Sequence, residues 1–133
     1  MKTLRTKLNF IFTLLPLLLL NMNWYTSMIV GSDLETFPSY TGFYIFKYNF
    51  AVIFIVFILT LGIQYISYNR FTYVLAIASQ LLLIISITLF PIRLYGTYIV
   101  GFYKNFQLPY YIFAFLILIG ISINILNLKR IRK

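Results

Sequence analysis

A chain of 133 residues that is 62% hydrophobic, 20% aromatic and only 10% charged has too little polar surface to clothe a water-soluble globule, since soluble domains carry about 25% charged residues. Its formal charge of +9 would in a soluble protein suggest phosphate neutralisation, but the basic residues flank apolar runs instead of forming a stripe. They read as topology signals and lipid headgroup contacts, and no nucleic-acid partner is expected.

The first apolar stretch follows Lys2, Arg5 and Lys7 and covers 8–30. Its opening resembles a secretory signal peptide, yet no small-residue cleavage pattern follows Leu20, and the run continues through Trp24 and Tyr25 to Val30. An uncleaved first helix is therefore expected, long enough for about 30 Å of hydrocarbon. The loop 31–41 holds the only carboxylates, Asp33 and Glu35, together with Pro38.

A second span is expected over 43–66, with Lys47 near one end, where a long side chain can reach the headgroups. The connection 67–72 is so short that the second and third spans must form an antiparallel hairpin. The third span is read over 73–92, ended by Pro91 and Arg93, and the fourth over 109–128, with Pro109 suited to a first helical position. Between them lies the apolar, strand-prone loop 93–108, expected to lie on the membrane surface, with a re-entrant element as the alternative.

The expected fold is thus an all-α membrane protein, a four-transmembrane-helix bundle forming one integral membrane domain. Orientation follows the excess of cytoplasmic Lys and Arg. With the amino terminus inside, eight basic residues (Lys2, Arg5, Lys7, Arg70, Lys129, Arg130, Arg132 and Lys133) lie on the cytoplasmic side and three (Lys47, Arg93 and Lys104) lie outside. Both termini are then cytoplasmic in a multi-pass plasma-membrane protein, and the basic end attracts an anionic inner leaflet at about 1 kcal/mol per charge.

In that orientation the two outer loops and adjoining helix ends collect Trp24, Tyr25, Tyr40, Tyr44, Tyr48, Tyr95, Tyr98, Tyr103, Tyr110 and Tyr111. Aromatic belts normally decorate both interfaces, so this one-sided excess points to loops that lie on the membrane or present a recognition surface. The candidate binding residues there are Asp33, Glu35, Arg93, Tyr95, Tyr98, Tyr103 and Lys104. A second set, Asn21, Asn23, Thr60, Gln64, Ser79, Gln80, Ser86, Thr88, Ser122, Asn124 and Asn127, is polar within apolar runs and is expected to point into the bundle. Thr60, Gln64, Gln80 and Asn124 are its principal members, and Asn124 is the expected partner of Gln80.

No ionisable residue falls near the centre of a span, which speaks against ion-coupled transport. The absence of cysteine and histidine excludes thiol chemistry and the commonest transition-metal ligands. No metal or cofactor is expected, and the chain reads as a non-enzyme. An enzyme acting on lipid phosphate would have to use Asp33 or Glu35 with Arg93 and Lys104. Small multidrug transporters carry a membrane-embedded Glu in the first helix and quinone-linked thiol oxidoreductases carry paired cysteines, and this chain has neither.

The general plan, a short four-span chain with a basic start and end, resembles bacterial immunity proteins encoded beside secreted toxins, and some phage holins. Abundant Ile, Asn, Lys, Tyr and Phe suit an AT-rich bacterial genome. The functional expectation is a membrane protein acting through its extracytoplasmic loops on a membrane or secreted protein or peptide partner, as an accessory subunit or an immunity-type protein. The alternative is an oligomeric channel or holin-like pore, with self-association into a homo-oligomer left open.

Overall fold

The computed structural model describes residues 10–12, 14–26, 38–67, 69–95 and 102–131, with the backbone alone at 94, 95, 102 and 103. The chain is mostly helical. Two helices, Arg70–Thr88 and Leu108–Ile131, are long and apolar enough to cross a membrane, and a third crossing arises if the bent pair Gly42–Asn49 and Ala51–Ile66 is one span.

The expected helix over 8–30 is not formed as one element. The helical segment Phe10–Asn21 tightens into a 3-10 helix over Leu15–Asn21, with Pro16 in its first turn. Seven residues at about 2.0 Å each advance the chain only about 14 Å. At Met22 the backbone turns extended, and strand β1, Asn23–Thr26, pairs antiparallel with β2, Ser39–Thr41. The physical reason lies in the side chains: Asn21 and Asn23 are poor helix residues, whereas the extended backbone places both Trp24 and Tyr25 in full burial. The pairing also satisfies backbone groups that the helix would otherwise have satisfied.

The expected second span, 43–66, is broken as well. Helix α1, Gly42–Asn49, meets α2, Ala51–Ile66, at a bend of 108°. Phe50 at the corner has φ −134° and ψ 31°. Hydrogen bonding nevertheless runs through it, with Phe50 N–H donating to Phe46 O and Phe54 N–H to Phe50 O, each at 3.0 Å. The inside of the corner is filled by the Phe46 and Phe54 rings, stacked at 4.7 Å. Thr41 caps α1, its hydroxyl accepting from Tyr44 N–H at 3.2 Å.

Helix α3, Arg70–Thr88, begins earlier than the sequence pattern suggests because Asn69 forms a reciprocal capping box with Thr72. Only three residues, 67–69, separate it from α2, and the two helices pack along their length. Asn69→Ala should cost about 1 kcal/mol, read as a lowered thermal midpoint in detergent, with Arg70→Ala as the neutral control.

After Leu89 the chain continues as a short helix, α4, Phe90–Tyr95, with Pro91 in its first turn. Pro91 has no N–H to donate to Ile87, so the break falls where proline is tolerated. A 3-10 turn, Phe102–Asn105, leads to α5, Leu108–Ile131, which carries Lys129 and Arg130 in its last turn.

Helix α3 sits centrally, packed on α2 and α5, while the 3-10 helix lies along α5 and α1. Core positions on α3 recur at helical spacing, with Thr72, Tyr73, Ala76, Gln80, Leu83 and Ile87 buried. The outward faces are apolar too, with Val52, Leu59, Phe71, Leu82 and Phe115 all exposed. Buried amides beneath an apolar exterior are the pattern of helices whose solvent is lipid.

Candidate functional site

Two constellations stand out, one at the end of the helices that carries the β1–β2 ribbon and one in the interior. At the ribbon end, β1 is hydrogen-bonded on both sides. Beyond its pairing with β2, Tyr25 bridges to Phe106 and Gln107 N–H donates to Trp24 O at 2.8 Å. Beneath this backbone lies an aromatic base. Trp24 packs on Phe113 at 4.5 Å and meets Phe46 edge-on at 5.8 Å, and its indole N–H donates to Leu19 O at 2.7 Å. Tyr25 stands edge-on to Phe106 at 5.1 Å and to Phe90 at 5.6 Å.

Much of the expected aromatic recognition surface is therefore the core of the ribbon end. Trp24, Tyr25 and Tyr110 are buried, while Tyr44, Tyr48 and Tyr111 remain exposed. Large rings contribute most free energy when buried, and the ribbon supplies the means to bury them.

Against the ribbon opens a cleft of about 530 Å³. Asn21, Asn23, Thr26 and Gln107 give it polar walls, and Met22 and Leu108 an apolar rim. Gln107 Nε2 donates to Thr26 Oγ1 at 3.2 Å, which braces one wall. No lining residue is charged. Three primary amides in an open cleft both donate and accept, a chemistry suited to neutral hydrogen-bonding groups such as peptide backbone.

The sequence expects Asn21 and Asn23 to point into the bundle, whereas both are exposed at this cleft, because the helix that would have turned them inward ends at Asn21. Nothing in the pattern singles out Gln107, which comes to the cleft through its backbone bond to Trp24. Of the charged and aromatic candidates, Arg93 and Lys104 are exposed. Tyr95 ends α4 and Tyr103 lies in the 3-10 turn, with their side chains outside the described set. Asp33, Glu35 and Tyr98 lie outside the described residues.

The interior constellation is a chain of amides. Gln64 Nε2 of α2 donates to Asn124 Oδ1 of α5 at 2.7 Å, and Asn124 Nδ2 donates to Gln80 Oε1 of α3 at 3.1 Å. All three are buried, Asn124 completely. Gln80 Nε2 is left without a partner. Thr60 is buried but outside this chain, its hydroxyl donating to Val56 O of its own helix at 2.7 Å. Ser79 and Ser122 are likewise satisfied within their own helices, and Thr88 meets the Tyr110 hydroxyl at 2.9 Å. None of these groups ionises near neutral pH, and the amide chain ties α2, α5 and α3 together. No cluster of side chains suited to a metal ion occurs among the described residues. Comparison of the chain with family models, with curated proteins and with solved structures finds no match.

Proposed function

We propose that this chain is a non-enzymatic, four-span membrane protein with both termini cytoplasmic, whose ribbon end faces outward and binds a polypeptide, as a small accessory subunit or an immunity-type protein against a secreted bacterial peptide or toxin. The observation that carries this reading is the uncharged amide cleft on the β1 strand whose Trp24 and Tyr25 are buried in the aromatic cluster, in a chain whose interior polar groups are buried. Non-helical backbone at membrane depth is tolerated where it is buried in protein or lines a hydrated cavity; β1 is hydrogen-bonded along both edges and lends Asn23 and Thr26 to the cleft. The first crossing in this reading begins with the short segment Phe10–Asn21, whose 3-10 part lies along α5; at about 22 Å it needs the ribbon to complete the path through about 30 Å of hydrocarbon. The outward assignment rests on the distribution of basic residues, eight against three.

The test is photocrosslinking in the native host from Met22 and Leu108 at the cleft rim, with Phe115 on the lipid-facing side as control. The expected result is a polypeptide adduct from the rim alone, reduced about tenfold in the Asn23→Leu/Gln107→Leu double variant, since two hydrogen bonds at about 0.5–1.5 kcal/mol each are lost. An adduct pattern identical at Phe115 and at the rim sinks the reading.

The rival is an oligomeric pore with Gln80, Asn124 and Thr60 along its path. It is favoured by one feature, the unpartnered Gln80 Nε2, and disfavoured by the burial of all three residues within a single chain. Liposomes holding the purified protein that pass no ions at any voltage remove it.

A further inference from the structure

Helix α1 is read from sequence as the start of a membrane span, yet it is turned 108° away from α2. If α2 follows the bilayer normal, as its exposed Val52, Ile55, Leu59 and Ile63 suggest, α1 runs nearly parallel to the membrane plane. Its two faces differ. Gly42, Ile45 and Phe46 are buried against the aromatic base, while Phe43, Tyr44, Lys47 and Tyr48 are exposed.

We propose that α1 is an in-plane anchor whose exposed face sits in the headgroup and glycerol layer of the bilayer, fixing the depth of the ribbon and its cleft. The chemistry of that face selects this occupant. Tyrosine rings prefer the boundary between hydrocarbon and headgroups, and Tyr40, Tyr44 and Tyr48 form a row with centroids 5.3 and 4.7 Å apart. Lys47 Nζ lies 5.0 Å from the Tyr48 ring centroid, which places a cation at the level of lipid phosphates with its aliphatic stem along the apolar side. Helix α1 itself carries no acid, and among the described residues none lies beside it to repel those phosphates. A water-facing helix would leave this row of rings without an apolar neighbour, and a helix lying wholly within hydrocarbon would keep Lys47 from the headgroups that its side chain can reach at the boundary. The proposal stands whether or not the cleft binds a polypeptide.

The chain contains no cysteine, so single Tyr44→Cys, Tyr48→Cys, Val52→Cys and Leu59→Cys variants each carry one fluorophore. In phosphatidylcholine vesicles, quenching by lipids spin-labelled at the headgroup or along the acyl chain reports depth, and aqueous iodide reports water. Positions 44 and 48 should share one depth and be quenched most by the headgroup label, while 52 and 59 differ by about 10 Å along the normal. An offset of about 6 Å between 44 and 48, as a helix continuing across the bilayer requires, overturns the proposal. Quenching of both by iodide and by neither lipid label also overturns it and returns the face to a protein partner. The pair Phe43→Cys and Lys47→Cys repeats the measurement should a tyrosine variant fail to fold, with the same outcomes.

Discussion

Replacing Asn124 with leucine should destabilise the folded protein by about 2–4 kcal/mol, more than any other single polar-to-apolar change in the interior. Asn124 is fully buried and links two helices at once, accepting from Gln64 Nε2 and donating to Gln80 Oε1. Its removal leaves Gln64 without that acceptor and Gln80 without that donor, where no bulk water can replace them. Each orphaned group costs about 1–3 kcal/mol, although hydrogen bonds measured between membrane helices average nearer 0.6. Gln80→Leu is the informative comparison, because it deletes the unpartnered Nε2 along with the one bonded oxygen. It takes that acceptor from Asn124 Nδ2 but removes the orphaned Gln80 Nε2, and these opposing terms of about 1–3 kcal/mol each should leave a net cost under about 1 kcal/mol. The triple change of Gln64, Gln80 and Asn124 to leucine should be milder than Asn124→Leu alone, since no half-satisfied network remains. Reversible unfolding in bicelles measures all three, and an Asn124→Leu cost indistinguishable from that of Gln80→Leu would dismantle the account.

The same network shows what a sequence of this kind discloses. Gln80 and Asn124 are conspicuous because they interrupt apolar runs, and lipid leaves such side chains few options except one another; they lie 3.1 Å apart. The runs over α2, α3 and α5 are conspicuous for the same reason, since hydropathy and length act locally. Hydropathy does not say, however, whether a greasy backbone is helical or extended. Trp24, Tyr25 and Thr26 are apolar enough to prolong a helix and also good strand formers, and the choice is made by Ser39–Thr41 and Phe106, which pair with them from far along the chain. The corner at Phe50 is settled by tertiary packing of Phe46 on Trp24 and Phe54, with neither proline nor glycine to mark it. Asn21 and Asn23 mislead by the same logic that makes Asn124 informative: a polar residue in an apolar run is either helix-to-helix glue or the place where the helix stops.

Gly42→Ala should cost about 3 kcal/mol and shift the emission of the chain's only tryptophan to longer wavelength. A methyl group at Gly42 would fall inside van der Waals contact of three indole carbons of Trp24, Cε2, Cζ2 and Cδ2, the last at 2.7 Å. Neither side is free to yield. Gly42 N–H is held by Met22 O at 3.3 Å, and the indole is held by Leu19 O and by Phe113. Displacing the ring gives up its hydrogen bond and its aromatic contacts together, and β1, the wall of the cleft, must move with it. Gly62→Ala is the matched control, because nothing lies within 4 Å of the added carbon; there alanine should be neutral or stabilise α2 by up to about 1 kcal/mol. Pairing Gly42→Ala with Trp24→Leu, which removes the clashing six-membered ring, should recover at least about 1 kcal/mol relative to the sum of the single changes. Additive losses, or native emission retained in Gly42→Ala, would show that the close approach of glycine and indole does not hold the ribbon end in place.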